Sequence, residues 1–294
     1  TSGFAEALAA AERADVGIMC LGISPDLEGE EGAVANSDGG GDRLCLELPG
    51  MQEELLKAIA TTGKPVILTL FNGSPVTINW SQEHLPAIIE AWYPGEEGGT
   101  ALAEVIFGDY NPAGRLPITF VQSLEQLPAF TDYSMKGRTY RYMEGEPLYP
   151  FGYGLSYTEF EYAKLDISDT KLNSADDKDV RVTVEVGNSG KRAGDEVVQL
   201  YVQNVEASVS VPKWELKGFK RIHLAPGAKK RVEFTLSQRE LAIIDEEGNC
   251  WLEPGKFVIY VGGQQPDLRS KELTGKDVLA VEFELVGSAK EMEY

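Results

Sequence analysis

Apolar residues recur with two different rhythms in this chain, and the change of rhythm near residue 158 restricts the fold more than any other feature. Pro65-Val-Ile-Leu-Thr-Leu-Phe71 is an unbroken apolar run, and Ala87-Ile-Ile-Glu-Ala-Trp92 is nearly one. A strand that is apolar on both faces must be covered on both, as in a parallel sheet between layers of helix. Asp15-Val-Gly-Ile-Met-Cys-Leu21 reads as a further buried strand. Helical segments separate these runs. Phe4 to Ala14 is alanine-rich, and Met51 to Thr61 carries Leu55, Leu56 and Ile59, with Gly63 placed to end it in the left-handed conformation. Shorter helices are expected around Ser81–Leu85 and from Thr100 to Phe107. Strands separated by helices predict an α/β three-layer sandwich over residues 1–158, its sheet largely parallel.

Beyond this point the period drops to two. Val180-Arg-Val-Thr-Val-Glu-Val186 is apolar at every second position, the pattern of a half-buried strand. Val197–Val202, Leu216–Leu224, Lys230–Leu236 and Lys256–Gly262 follow, with Asn188-Ser-Gly190, Pro226-Gly227 and Pro254-Gly255 as turns. Residues 159–294 are therefore expected to form an antiparallel β-sandwich of immunoglobulin-like shape. The boundary falls near Tyr157–Ala163. The chain opens without Met, and its first helix lacks a preceding strand, so the α/β domain is expected to be N-terminally incomplete and the chain to be the C-terminal part of a longer protein.

Charge narrows the partners. The 294 residues carry 27 Lys and Arg against 47 Asp and Glu, a net charge of −20. No basic stripe is available for a nucleic-acid backbone or an anionic membrane surface, so neither partner is expected. A neutral sugar or a cationic substrate is allowed. No apolar run approaches the roughly 18 residues of a membrane span. Cys20, Cys45 and Cys250 are too few and too scattered for a disulfide framework or a zinc site, and are expected to be buried free thiols.

The strongest local signal is Asp26-Leu-Glu28-Gly-Glu30-Glu31-Gly32, continued by Asn36-Ser-Asp-Gly-Gly-Gly41-Asp42-Arg43. It lies in a loop from Ile23 to Leu48 that follows the strand ending near Leu21. Ligands of parallel sheets sit beyond the carboxyl ends of strands. Composition leaves three readings open. The segment can be a solvated acidic loop. It can bind calcium through hard oxygens, although its spacing is not that of an EF-hand. It can present a general acid/base carboxyl, whose neutral form burial or a second carboxylate would favour. Other features carry less chemistry. His84 and His223 are far apart, Ser74 and Ser156 lack a nucleophile elbow, and Gly152-Tyr-Gly154 lacks the third glycine of a dinucleotide fingerprint. Trp92, Tyr93, Tyr140, Tyr142, Tyr149 and Tyr153 could stack on sugars, but read better as core packing.

Several collinear segments resemble glycoside hydrolase family 3, the β-glucosidase and β-xylosidase family. They are Leu27-Glu-Gly-Glu30, Gly41-Asp-Arg-Leu-Cys-Leu-Glu-Leu-Pro-Gly50-Met-Gln52, Leu70-Phe-Asn-Gly-Ser74-Pro75 and Glu90-Ala-Trp-Tyr-Pro-Gly95-Glu-Glu-Gly-Gly99. Phe107-Gly-Asp-Tyr-Asn-Pro-Ala-Gly-Arg-Leu-Pro117-Ile-Thr-Phe120 and Tyr149-Pro-Phe-Gly-Tyr-Gly-Leu-Ser-Tyr157 complete the set. Their order matches the family's C-terminal α/β-sandwich domain, and Val180 through Gly262 is similar to the fibronectin type III-like domain that follows it in many members.

The resemblance implies a retaining exo-acting β-glycosidase for terminal β-linked glucose or xylose, with a β-linked oligosaccharide as substrate. Its Asp nucleophile would sit on an N-terminal (β/α)8 barrel of the same enzyme, and its acid/base Glu on a loop of the α/β domain. The two carboxyls of a retaining enzyme stand about 5–5.5 Å apart. Glu30, last of Leu-Glu-x-Glu, best matches the acid/base. The family places this Glu just before an Asp-Arg pair, whereas here the insert Glu31 to Gly41 separates Glu30 from Asp42-Arg43, so Glu31 and Glu28 stay open as alternatives. The resemblance implies no metal and no organic cofactor, a periplasmic or secreted location, and no activity from this chain without the barrel. The fibronectin-like domain would brace its neighbour, with a substrate or homodimer contact also open to it. The rival reading is a non-catalytic carbohydrate-binding or assembly module.

Overall fold

The computed structural model describes residues 3–28, 43–176 and 178–293. The chain forms two compact units. The first comprises Thr1–Tyr110 and Thr119–Thr131, and the second comprises Asn111–Ile118 and Asp132–Tyr294. Compactness thus divides the chain differently from the change in hydrophobic rhythm, since both Asn111–Ile118 and residues 132–158 count with the second unit.

In the first unit α1 (Phe4–Arg13) leads to β1 (Gly17–Gly22), followed by the single-turn α2 (Pro25–Glu28). Then come α3 (Gln52–Ala60), β2 (Val66–Phe71), α4 (Asn79–His84), β3 (Ala87–Glu90) and α5 (Gly98–Phe107). The three strands form a parallel sheet in the order β1-β2-β3, with Gly17 opposite Val66 and Ile67 opposite Ala87. Central β2 buries Val66, Leu68, Thr69 and Leu70, as its unbroken apolar run requires. Leu56 and Ile59 are the buried residues of α3. Gly63 and Gly108 both take left-handed φ angles, 74° and 81°, behind α3 and α5.

Two expectations for this unit are corrected. β1 is not buried: Ile18 is 42% exposed, and Val16 just before the strand 43%. Among the described residues β1 pairs only with β2, so it stands at a sheet edge. Cys20 shares the face of Ile18 by the two-residue period of a strand, and it is exposed, as is Cys45. Of the three thiols only Cys250 is buried.

The second unit carries the single-turn α6 (Thr139–Tyr142), then β4 (Phe160–Ile167), β5 (Lys171–Asn173), β6 (Val180–Asn188), β7 (Gly194–Asn204), β8 (Glu215–Leu224) and β9 (Lys229–Leu236). After these come α7 (Gln238–Leu241), β10 (Ile243–Ile244), β11 (Cys250–Leu252), β12 (Gly255–Gly262), α8 (Leu268–Thr274), β13 (Leu279–Val286) and β14 (Lys290–Glu291). One sheet runs β5-β13-β12-β7-β8 and another β4-β6-β9. Their pairings are antiparallel except that of β5 with β13. Val180, Val182, Val184 and Val186 all enter the shared core with Leu200, Ile259 and Phe283. Each such side chain contributes roughly 1.5–3 kcal/mol by leaving water.

A charged group lies within this unit. Arg115 pairs with Glu196 of β7 at 3.1 Å, their side chains only 10% and 4% exposed. Arg115 also donates to the carbonyls of Ala113, Gly114 and Gly263, and Tyr162 donates its phenol to Glu196 at 2.8 Å. A buried ion pair persists only when such bonds satisfy its remaining donors and acceptors.

Candidate active site

Because β1, β2 and β3 run parallel, their carboxyl ends share one edge of the sheet, and three connections leave from it. The first begins at Gly22, whose φ is 143°, a value open to glycine. A Cβ there would lie 2.0 Å from the carbonyl oxygen of Phe71. Gln52, in the first turn of α3, holds this strand end with both ends of its amide. Its Nε2 donates to the Gly22 carbonyl and its Oε1 accepts the Gly22 N–H, each at 2.8 Å.

Glu28 closes α2 and reaches across to the second connection. Its carboxylate accepts hydrogen bonds from the Ser74 hydroxyl, the Tyr93 phenol and the Gly73 N–H, the last at 3.1 Å. Gly73 leaves room for this contact, since a Cβ there would stand 2.7 Å from both Glu28 Oε2 and the Tyr93 ring. Arg43 approaches the same turn, and its Nη2 donates to Ser74 Oγ at 2.9 Å and to the Pro75 carbonyl at 2.7 Å. Its Nη1 is buried without a partner among the described residues.

Glu90 ends β3 and is linked to the same turn through Asn72. Its Oε1 accepts the Trp92 N–H at 2.9 Å, and its Oε2 accepts from Asn72 Nδ2 at 3.3 Å. Asn72 is fully buried and also donates to the Ser74 carbonyl at 3.0 Å. Because Nδ2 serves two oxygen acceptors, its assignment is set by the network. Trp92 has a φ of 53°, which a bulky residue adopts only when its surroundings demand it. Its ring meets the buried Phe120 edge-on at 6.0 Å.

These surroundings give the two carboxyls opposite characters. Burial works against the charged form of Glu28. The hydrogen bonds from Ser74, Tyr93 and Gly73 and the nearby Arg43 charge outweigh it and hold the carboxyl below its ordinary value of 4.5. Burial, with the carboxylate of Glu28 as second cause, pushes the Tyr93 phenol up to about 12. Burial likewise pushes Glu90 up to about 7, its bonds from Trp92 and Asn72 offsetting only part of the desolvation. Glu28 is thus a charged acceptor at neutral pH, whereas Glu90 changes charge near it.

Of the sequence-predicted acid/base residues, Glu28 lies at the carboxyl edge, while Glu30 and Glu31 fall outside the described residues. Sequence reasoning passed over Asn72, Ser74 and Glu90 as functional groups. The one available signal was Glu90 itself, a carboxylate interrupting an apolar run. The aromatics divide. Tyr149 is 8% exposed and stacks on Tyr153 at 5.6 Å, as core packing predicts, whereas Tyr93 is 41% exposed and spends its hydroxyl on Glu28.

The sequence profile of the glycosyl hydrolase family 3 C-terminal domain matches residues 1–157, and that of a fibronectin type III-like domain matches residues 196–265. The chain is 44% identical to a xylan 1,4-β-xylosidase of Xylanibacter ruminicola, over 87% of this chain and 29% of that protein. It is 39% identical to a periplasmic β-glucosidase of Salmonella typhimurium, over 87% of this chain and 34% of that one. A solved β-glucosidase from Erythrobacter marinus superposes with a TM-score of 0.82 at 38% identity, covering 96% of this chain and 36% of that one. The chain therefore spans about a third of the length of the curated relatives it matches. On both its sequence and its fold, the chain belongs to glycoside hydrolase family 3.

Proposed function

We propose that this chain supplies the general acid/base of a retaining, exo-acting β-glycosidase that releases terminal β-linked glucose or xylose, with Glu30 in that role. The observation that carries the reading is the origin of the acidic segment. In a chain of family 3, residues 29–42 are flanked by Glu28 and Arg43, and both are anchored at the carboxyl edge of a parallel sheet. In the first step the acid protonates the glycosidic oxygen as an Asp on the barrel portion of the same enzyme attacks the anomeric carbon and the aglycone leaves. In the second step the resulting carboxylate takes a proton from water, which displaces the sugar from that Asp. Glu28 is the weaker of the three candidates. A general acid must hold a proton near neutral pH, and the bonds to Ser74, Tyr93 and Gly73 favour its charged form. Glu31 remains the alternative. The periplasmic name of the Salmonella relative supports an exported protein.

The test uses the whole enzyme. Glu30→Ala should abolish turnover of unactivated β-glucosides or β-xylosides, because the leaving oxygen then departs unprotonated. Azide should restore activity on 2,4-dinitrophenyl glycosides, whose aglycone needs no proton, by attacking the glycosyl-enzyme in place of water. The same behaviour from Glu31→Ala, with Glu30→Ala fully active, would move the role to Glu31.

A further inference from the structure

We propose that Ser74 is a positioning residue for the proton-donating carboxyl group, its single hydroxyl tying both flanks of the acidic segment to the turn after β2. The inference rests on the acid/base reading above and adds to it a residue that touches no reacting atom. Glu28 is the last described residue before segment 29–42, and Arg43 is the first after it. They meet at one oxygen. Ser74 Oγ donates to Glu28 Oε1 and accepts from Arg43 Nη2 at 2.9 Å. A hydroxyl has one proton and two lone pairs, so it can bridge a carboxylate and a guanidinium where a donor-only ammonium or an acceptor-only carboxylate cannot. Both bonds are charge-assisted, the stronger class.

The bridge itself is held firmly. Buried Asn72 donates to the Ser74 carbonyl, and the second bond of Arg43 Nη2 is to the Pro75 carbonyl, so the turn is gripped before and after the hydroxyl. Gly73 and Tyr93 supply the remaining donors to Glu28. Asn72 is tied in turn to Glu90 at the end of β3. The two points where the segment joins the fold are thus referred to one oxygen in the turn after β2. A general acid works only within about 2.6–3.2 Å of the atom it protonates. Displacement by about 1 Å costs on the order of a hundredfold in rate. Removing the hydroxyl leaves Glu28 with its bonds from Gly73 and Tyr93 and Arg43 with its bond to Pro75, but uncouples the two flanks from each other.

The experiment compares Ser74→Ala and Ser74→Thr in the whole enzyme on phenyl and 2,4-dinitrophenyl β-glycosides. Phenol leaves only when protonated, whereas dinitrophenolate leaves unassisted. Ser74→Ala should lower kcat/KM on the phenyl glycoside by about 10- to 100-fold and leave the dinitrophenyl glycoside within about threefold. Ser74→Thr, which keeps the hydroxyl, should return the phenyl activity to within about threefold of the parent. Equal losses on both substrates would mean a merely structural role and would overturn the proposal, as would a phenyl loss below twofold. Glu30→Ala run alongside separates the two ideas. If it spares the phenyl glycoside, the acid/base reading fails and this proposal with it. If it abolishes that activity while Ser74→Ala does not, only the positioning role falls.

Discussion

Replacing Glu90 with glutamine isolates what it costs to bury a carboxylate at the carboxyl edge of the sheet. The carboxyl ionises near 4.5 when free and near 7 in the fold, because burial disfavours its charge more than Trp92 and Asn72 favour it. A folded-state value raised above the unfolded one means that the folded chain holds the proton more tightly. The associated stability is fully present below about pH 4.5, is lost as pH climbs to about 7, and changes little beyond. At 1.36 kcal/mol per tenfold in proton affinity, the ceiling is about 3 kcal/mol. Partial solvent access brings the expected loss to about 2 kcal/mol. Glutamine cannot ionise, so the variant has no such loss. It does give up one hydrogen bond, since its Nε2 would face Asn72 Nδ2, donor against donor, at a cost of about 1 kcal/mol. Glu90→Gln should therefore be less stable than the parent by about 1 kcal/mol near pH 5 and more stable by about 1 kcal/mol near pH 8.5. The chain forms two compact units, so a whole-chain signal would mix contributions from both. Amide hydrogen exchange of peptides spanning Val66–Trp92, followed in urea from pH 5 to 8.5, reads the first unit directly. A difference between variant and parent that stays constant across that range would refute the reasoning, because the buried charge would then contribute nothing to the pH dependence.

Two further substitutions test the packing around the site and in the second unit. Gly22→Ala puts a Cβ against the Phe71 carbonyl at a φ closed to alanine, and should cost about 3 kcal/mol or more, read as a lowered midpoint in urea for β1 and β2 exchange. A loss below about 1 kcal/mol would show that the strand ends can separate freely. Glu196→Gln leaves the Arg115 cation buried without its counter-charge, and should lower the thermal stability of the second unit by about 3–5 kcal/mol. Little or no change would mean that the carbonyls of Ala113, Gly114 and Gly263 suffice to hold the guanidinium.

The elements that sequence reasoning located are those whose burial is periodic. The alternation of Val180–Val186 survives as the buried side of β6, and the unbroken run ending at Phe71 survives as the central strand β2. Gly63 stops α3 as its position suggests. Elements that break period were not visible. β4 carries a register shift between Ala163 and Asp166, with Lys164 at a φ of 54°, so its apolar residues fall on no regular spacing. The exposure of β1 could not be read from its apolar residues either, because burial depends on what a strand's neighbours cover. The candidate site divides in the same way. The acidic segment and its place after a strand are local facts, legible from composition and order. That Glu28, Arg43 and Tyr93 converge on the turn at Gly73-Ser74, and that Glu28 favours its charge while Glu90 favours its proton, depends on residues distant in the chain. Short-range pattern determines which stretches become helix or strand, because backbone geometry repeats over a few residues. Which strand ends lie side by side is settled by sheet pairing, and the dielectric and hydrogen-bond environment of each carboxyl exists only once that pairing is made.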